Sequence, residues 1–228
     1  MSFKLFWKKT NRGLWLGAAL LLALVLLIVI SEVRFNFQKK EIRQTSKEYV
    51  QALLSVNLAT GELGANGYLT DAQKQAQIAA LDQVAKQYWY TGSIELNSRN
   101  YDLAQLSALL TRWQKDMPGM VTDIAYQPDN WNIVITRDGP GRVLVSLVTD
   151  QMAVRGKGAA PIEGYEEGIL FPTPVNSREE GSGEWSRTCM VYFSLELVRK
   201  GGKWQVAGMN AETGSGYSFN YGLLGMIA

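Results

Sequence analysis

The sequence contains no histidine, one cysteine and six prolines in 228 residues. Without histidine it has no side chain that ordinarily titrates near neutral pH and no imidazole to bind a metal. That excludes Ser-His-Asp and Cys-His nucleophile arrangements, together with zinc sites built from His and Cys. The one cysteine, Cys189, cannot form a disulfide within the chain. It falls on the apolar face of an alternating stretch, where a small buried hydrophobe is its expected role. A phosphate-binding G-x-x-x-x-G-K-[ST] loop, a G-x-S-x-G elbow and a dinucleotide fingerprint are also absent, and the Gly-Ser-Gly triplets at 181–183 and 214–216 read as loops. Runs of basic residues are missing too. Residues 1–43 hold eight Lys/Arg against two Asp/Glu, and the remainder holds fifteen against nineteen. The larger part of the chain is therefore mildly acidic, which removes the electrostatic footprint of nucleic-acid binding.

What is present begins with an apolar run. Gly13 to Ile30 carries no charge; as a helix at about 1.5 Å per residue it reaches roughly 27 Å, close to the thickness of a bilayer core. The run exceeds an ordinary signal-peptide core, and Ser31-Glu32-Val33-Arg34-Phe35 after it offers no small-x-small cleavage site. An uncleaved membrane anchor is expected. Lys4, Lys8, Lys9 and Arg12 before the span are matched by Arg34, Lys39, Lys40 and Arg43 after it, so flanking charge alone does not orient it. A first helix behind a short basic N-terminus usually keeps that terminus in the cytoplasm. The expected plan is a cytoplasmic tail at 1–12, a single-pass transmembrane helix at 13–31, and a juxtamembrane linker or helix start at 32–44. An extracytoplasmic domain at 45–212 with a long loop at 155–188 follows, then a Gly-rich apolar tail at 213–228. Phe3, Phe6, Trp7 and Trp15 on one side, with Phe35 and Phe37 on the other, would mark the two interfaces.

Beyond the span the hydrophobic period is helical, then switches to two. Ile42, Tyr49, Leu53 and Val56 recur at helical spacing, widened by Val50, Leu54 and Leu58. A second helix starts at Thr70-Asp71-Ala72-Gln73, which has the form of a capping box, with Ile78, Leu81, Val84 and Tyr88 as its apolar face. A third is expected behind an Asn100 cap, through Leu103, Leu106, Leu110 and Trp113, and is ended by Met117-Pro118-Gly119. Strands are expected at 120–127, 131–137 and 142–154, and then in a hairpin from Cys189 to Met209 that turns at Gly201-Gly202. On its first strand Cys189, Val191, Phe193, Leu195 and Leu197 share one face, and Tyr192, Ser194 and Glu196 the other. Helices against one antiparallel sheet make the fold class α+β.

Chemistry-bearing residues are few. Glu163, Glu166 and Glu167, and again Glu179, Glu180 and Glu184, crowd two stretches that lack the alternating spacing of a calcium loop and read as solvated acidic segments. Asp123 alternates with Val121 and Ala125 as an outward polar position, a lone general base being its alternative. Tyr88, Trp89, Trp113, Trp131, Phe193 and Trp204 are candidates to line a ligand cavity, or else to form the core.

The element order and the closing Gly201-Gly202-Lys203-Trp204-Gln205-Val206 return resemble the nuclear-transport-factor-like, or cystatin-like, fold. Bitopic inner-membrane assembly subunits of type IV secretion and conjugative transfer systems carry such an outer domain on a curved antiparallel sheet. The resemblance implies a non-catalytic scaffold without a cofactor, whose partners are the membrane, further copies of itself and other subunits of a membrane complex. It carries over no functional residue. Two other readings stand beside it. One is a ligand-binding or transporter-accessory module of the cell envelope with an open pocket. The other is an enzyme with a perturbed carboxylate or tyrosine in that pocket.

Overall fold

The computed structural model describes residues 12–56, 58, 60–65, 69–90, 94–96, 99–101, 120–158 and 183–213. It is an α+β protein that divides into two compact units, residues 1–41 and 42–228. Helix α1 runs unbroken from Arg12–Val56, so of the two expectations for 32–44, linker or helix start, the segment is helix throughout.

In the first unit α1 is apolar around its whole circumference from Gly13 to Ile30. Leu14, Leu20, Leu24 and Ile28 are all more than half exposed, and the helix is long and apolar enough to cross a membrane. Near its end the Lys39 ammonium lies 5.1 Å above the Phe35 ring, a cation–π contact one turn apart.

In the second unit the same helix becomes one-sided. Ile42, Ser46, Tyr49, Val50, Leu53, Leu54 and Val56 are buried, a stripe at i, i+4, i+7 spacing. Leu58, which sequence places on that stripe, is instead 37% exposed, because the helix has ended and Leu58 bridges in parallel to Val121. Helix α2, Asp71–Tyr88, begins at the expected capping box: Thr70 accepts from the Gln73 N–H at 3.3 Å, and the Gln73 side chain accepts from the Thr70 N–H at 2.8 Å. Its buried row is Gln77, Leu81 and Ala85. Ile78, Val84 and Tyr88 are half-buried, so the face is rotated by about one residue from the expected one. The Leu69 and Trp89 flanks, both buried, extend the row at each end.

Among the described residues seven strands form two antiparallel sheets. Strands β1, Ile94–Leu96, and β2, Arg99–Tyr101, make a small ribbon. Asn100, expected to cap the third helix, lies within β2 opposite Glu95, and Tyr101 after it is strand where the helix was expected to begin. The rest of the expected third helix, including Trp113, lies outside the described residues. The main sheet comprises β3, Met120–Ala125; β4, Asn132–Gly139; β5, Arg142–Lys157; β6, Glu184–Lys200; and β7, Lys203–Thr213. Strand β5 organises it. The first half of β5 pairs with β4, its second half with β3, and its other edge with β6, which in turn pairs with β7.

Two corrections to the sequence reading follow from this ladder. Arg155, Gly156 and Lys157 pair with Ser186, Trp185 and Glu184, so both ends of the segment expected as a loop at 155–188 are strand. At the other end β7 continues to Thr213, the first residue of the expected trailing tail. Backbone pairing to a regular neighbour holds these residues extended although their own pattern is too polar and Gly-rich to announce a strand. The middle of the expected loop, 159–182, and the tail at 214–228 lie outside the described residues.

Turn chemistry closes the hairpins. Gly201 and Gly202 both have positive φ, 57° and 84°, between the paired Lys200 and Lys203, the geometry of a type I′ turn that bulkier residues resist. Extra residues also enter the ladder between Thr149 and Met152, between Val121 and Asp123, and opposite the Glu196/Leu197 step. Such bulges bend and twist the strands that carry them. The last lets Val206 and Ala207, consecutive in sequence, both be buried.

Candidate functional site

Three places in the second unit have the chemistry or exposure to do work, and the first is the core junction at Tyr49. The α1 stripe delivers its ring to full burial, where Tyr88 and Trp89 pack with centroids 5.7 and 6.4 Å away. The phenol accepts a hydrogen bond from the Trp89 indole N–H at 3.2 Å and donates to the Met209 sulfur at 3.3 Å. One side chain thus ties α1, the end of α2 and β7 together. The backbone reinforces the tie, since the Tyr90 N–H donates to the Val206 carbonyl at 2.8 Å. Burial pushes the Tyr49 hydroxyl far above the ordinary tyrosine range, and the Trp89 bond offsets only part of that. Tyr49 therefore stays neutral at physiological pH, with both sides of its oxygen already engaged, and it acts as a structural pin.

The second place is the outward face of the main sheet. Along β5 and β6 the residues Val143, Val145, Leu147, Val191, Phe193, Leu195 and Leu197 are all nearly or fully inaccessible. Their alternates face out. Val134 is 54% exposed, and Leu144, Met190 and Tyr192 are each about 40% exposed. Cross-strand register sets Val134 beside Ser146 and Ser194, one pair away from Val148 and Tyr192. Apolar groups are thus interleaved with small hydroxyl side chains. At one end Arg142 donates through its Nε to the half-buried Glu196 at 3.2 Å, and Asp138 lies 3.8 Å from the same guanidinium. Asp123, at the β3 edge, is half exposed and paired to Arg155 at 3.5 Å. It faces out as a polar surface position, with its charge matched.

The third place is a cavity of about 140 Å³ between the end of α1 and α2, lined among others by Ser55, Val56, Thr60, Ala76, Gln77 and Ala80. Gln73 and Gln77 stand one turn apart on α2 and differ completely. The Gln73 amide donates to the Thr60 carbonyl at 2.8 Å and the Glu62 carbonyl at 3.3 Å, and its oxygen accepts from the Thr70 backbone. Gln77 is 5% exposed, and neither its amide nitrogen nor its amide oxygen has a partner. A buried polar group left unpaired costs about 1–3 kcal/mol, so native folds retain few of them.

Comparison of the chain with protein-family models, with curated proteins and with solved structures returns no match.

The aromatic residues singled out from sequence do not converge on the cavity. Trp89, Trp131, Phe193 and Trp204 are buried in the core, and Tyr88 is half-buried beside Tyr49. Trp131 packs on Tyr126 with a centroid distance of 5.4 Å. The indole N–H groups of Trp131 and Trp204 are buried and have no partner. Of the acidic clusters only Glu184 is described; it is mostly exposed and 3.6 Å from Lys157. No group of three or more potential metal ligands occurs among the described residues. Sequence reasoning missed Gln77 and the buried Ser46. The available signal was positional: each is a polar residue on an otherwise apolar helical row, 77-81-85 in one case and 42-46-49 in the other. Ser46 is satisfied by donating to the Ile42 carbonyl at 2.8 Å; Gln77 is not.

Proposed function

We propose that the chain is a single-pass membrane protein whose C-terminal domain lies outside the cytoplasm and serves as a non-catalytic assembly subunit of a secretion or conjugative transfer complex. In this reading the domain is a nuclear-transport-factor-like fold that works through protein contacts with further copies of itself and with other membrane subunits. The observation that carries the proposal is the outward sheet face. Leu144, Met190 and Tyr192 stay exposed on β5 and β6, whose other face is buried, and Val134 is exposed on the neighbouring β4, in a chain that also bears an exposed apolar helix. Exposed apolar side chains grouped on one face mark sites where proteins meet. Methionine and tyrosine are among the side chains enriched where folded proteins meet. A long apolar N-terminal helix, then a shorter helix, then a bulged antiparallel sheet among the described residues is an order compatible with this reading. A ligand-binding accessory module has less support, because Trp89, Trp131, Phe193 and Trp204, four of the aromatics expected to line its pocket, are buried in the core.

The test is in-cell photocrosslinking of the full chain in its native membrane, with the crosslinking side chain at position 144 or 192 and, as a control, at the exposed α2 position 83. Adducts at 144 and 192 with a second copy or with other membrane subunits of the complex are expected, with none at 83. Recovery with a transporter alone, or with nothing, at every position would sink the assembly reading.

A further inference from the structure

We propose that α1 carries a self-association seam, a parallel pairing with a second copy of the chain through the row Ala19, Ala23, Leu26, Ile30, Val33 and Phe37. The row recurs at alternating steps of four and three residues, the spacing that keeps one line of side chains facing a partner helix. Within the apolar run every direction is apolar, so the row is singled out by what happens past Ile30. There the exposed apolar side chains are Val33, at 49%, and Phe37, at 80%, and both continue the line through Leu26 and Ile30. Phe37 is the most exposed large apolar residue among those described. Phe35, on the opposite side of the helix, is only 9% exposed and lies under the Lys39 ammonium. One side of this segment is thus covered and the other left open.

The geometry of the anchor commits the open side to a second copy. Because α1 is one unbroken helix, it carries the row out of the apolar run without a change of direction. A rise of about 1.5 Å per residue sets the Phe37 backbone about 10 Å beyond Ile30, past a headgroup layer of roughly 5–8 Å. Lipid tails do not reach there. Two copies anchored through the same segment stand parallel and at one height, so each residue of the row meets its own image, as a two-fold contact requires. Ala19 and Ala23 are the smallest side chains on the row, and they let two backbones approach inside the bilayer, where close packing holds helices together. Charge fits as well. Lys40, exposed, takes the next place on the row and Glu41, also exposed, flanks it, so each copy sets a carboxylate beside the other's ammonium. The pairing requires the membrane-spanning reading of α1 and is independent of which complex the C-terminal domain serves.

Single cysteines at positions 29–40 of the full chain, in Cys189→Ala and Cys189→Ser backgrounds, are oxidised in native membranes and separated without reductant. A product of twice the chain mass is expected, with maxima at 30, 33 and 37 that stand about fivefold or more above minima at 32, 35 and 39. Phe37→Leu should keep the crosslink at 33, whereas Phe37→Glu should lower it about fivefold while the chain stays in the membrane pellet after carbonate extraction. Double-mass product that is absent, or flat across 29–40, overturns the pairing and leaves Phe37 to the lipid interface. A crosslinked product of another mass assigns the row to a different subunit and overturns the pairing equally. If the parent chain itself left the carbonate pellet, the anchor reading would fall together with the seam.

Discussion

The two halves of α1 use nearly the same apolar residues and reach opposite states. From Leu14 to Val33 leucine, isoleucine and valine point in every direction, and the large ones remain roughly half exposed or more. From Ile42 to Val56 they fall on one stripe, and that stripe is buried. Hydrophobic content does not separate the two; angular distribution does. A helix apolar all round asks for a medium that is apolar all round, whereas a striped helix asks for one complementary surface. The first demand can be met without any other part of the chain. The second is met only by residues far away in sequence, as the Tyr49 contact with Met209, 160 positions on, makes plain.

The sharpest way to test that contrast is to remove bulk from each half. Tyr49→Ala, or equally Trp204→Ala in the facing core, should cost about 3–5 kcal/mol and lower the domain's melting temperature by on the order of ten degrees. Leu24→Ala in the first half should leave that melt where it was. Near-UV circular dichroism of the full chain in detergent reads both, and an unchanged melt for Trp204→Ala would remove it from the core.

Charge should break the first half in a way the second half does not feel. Leu24→Arg is expected to disfavour membrane insertion by roughly 3–4 kcal/mol, from the difference between leucine and arginine at a helix centre. Carbonate extraction and fractionation would show the chain leaving the membrane pellet. If Leu24→Arg stayed fully integrated, the reading of 13–31 as a spanning segment would have to be given up.

A smaller effect sharpens the second half. Tyr49→Phe keeps the ring and deletes the hydroxyl, leaving the Trp89 indole N–H unpaired at a cost of about 1–3 kcal/mol. It should also change the pH profile. The folded Tyr49 is raised above the unfolded value, so its contribution is intact below about pH 10 and declines as pH rises further, when only the unfolded chain can ionise there. Urea melts between pH 9 and 11.5 should show a shallower alkaline loss in Tyr49→Phe than in the parent chain. Equal slopes would mean that the phenol is less buried than it looks.

Much of this architecture was legible because it depends on neighbours in sequence. The capping box at Thr70 and Gln73, the alternation from Val191 to Leu197, and the Gly201-Gly202 turn are local statements, and each appears in the fold as written. The failures are non-local. Arg155–Lys157 and Glu184–Thr188 look like loop until one sees that they pair with each other across the sheet. The buried face of α2, Gln77, Leu81 and Ala85, lies about a residue from the expected one, because alanines and glutamines distribute too evenly around the helix to mark one stripe. Asn100 carries a cap residue's chemistry but is held in an extended ribbon by its pairing with Glu95.

By itself, then, the sequence determined an apolar helix long enough to cross a membrane, the α+β class, the closing hairpin and the exclusion of histidine chemistry. These follow from composition and from periods of two and 3.6, which the covalent chain imposes within a few residues. Only the tertiary structure decided that β5 bonds to three strands at once, that the Tyr49 hydroxyl is enclosed between an indole and a thioether, and that the Gln77 amide is closed off from water without a partner. Those outcomes depend on which distant surfaces meet, and no local period encodes that.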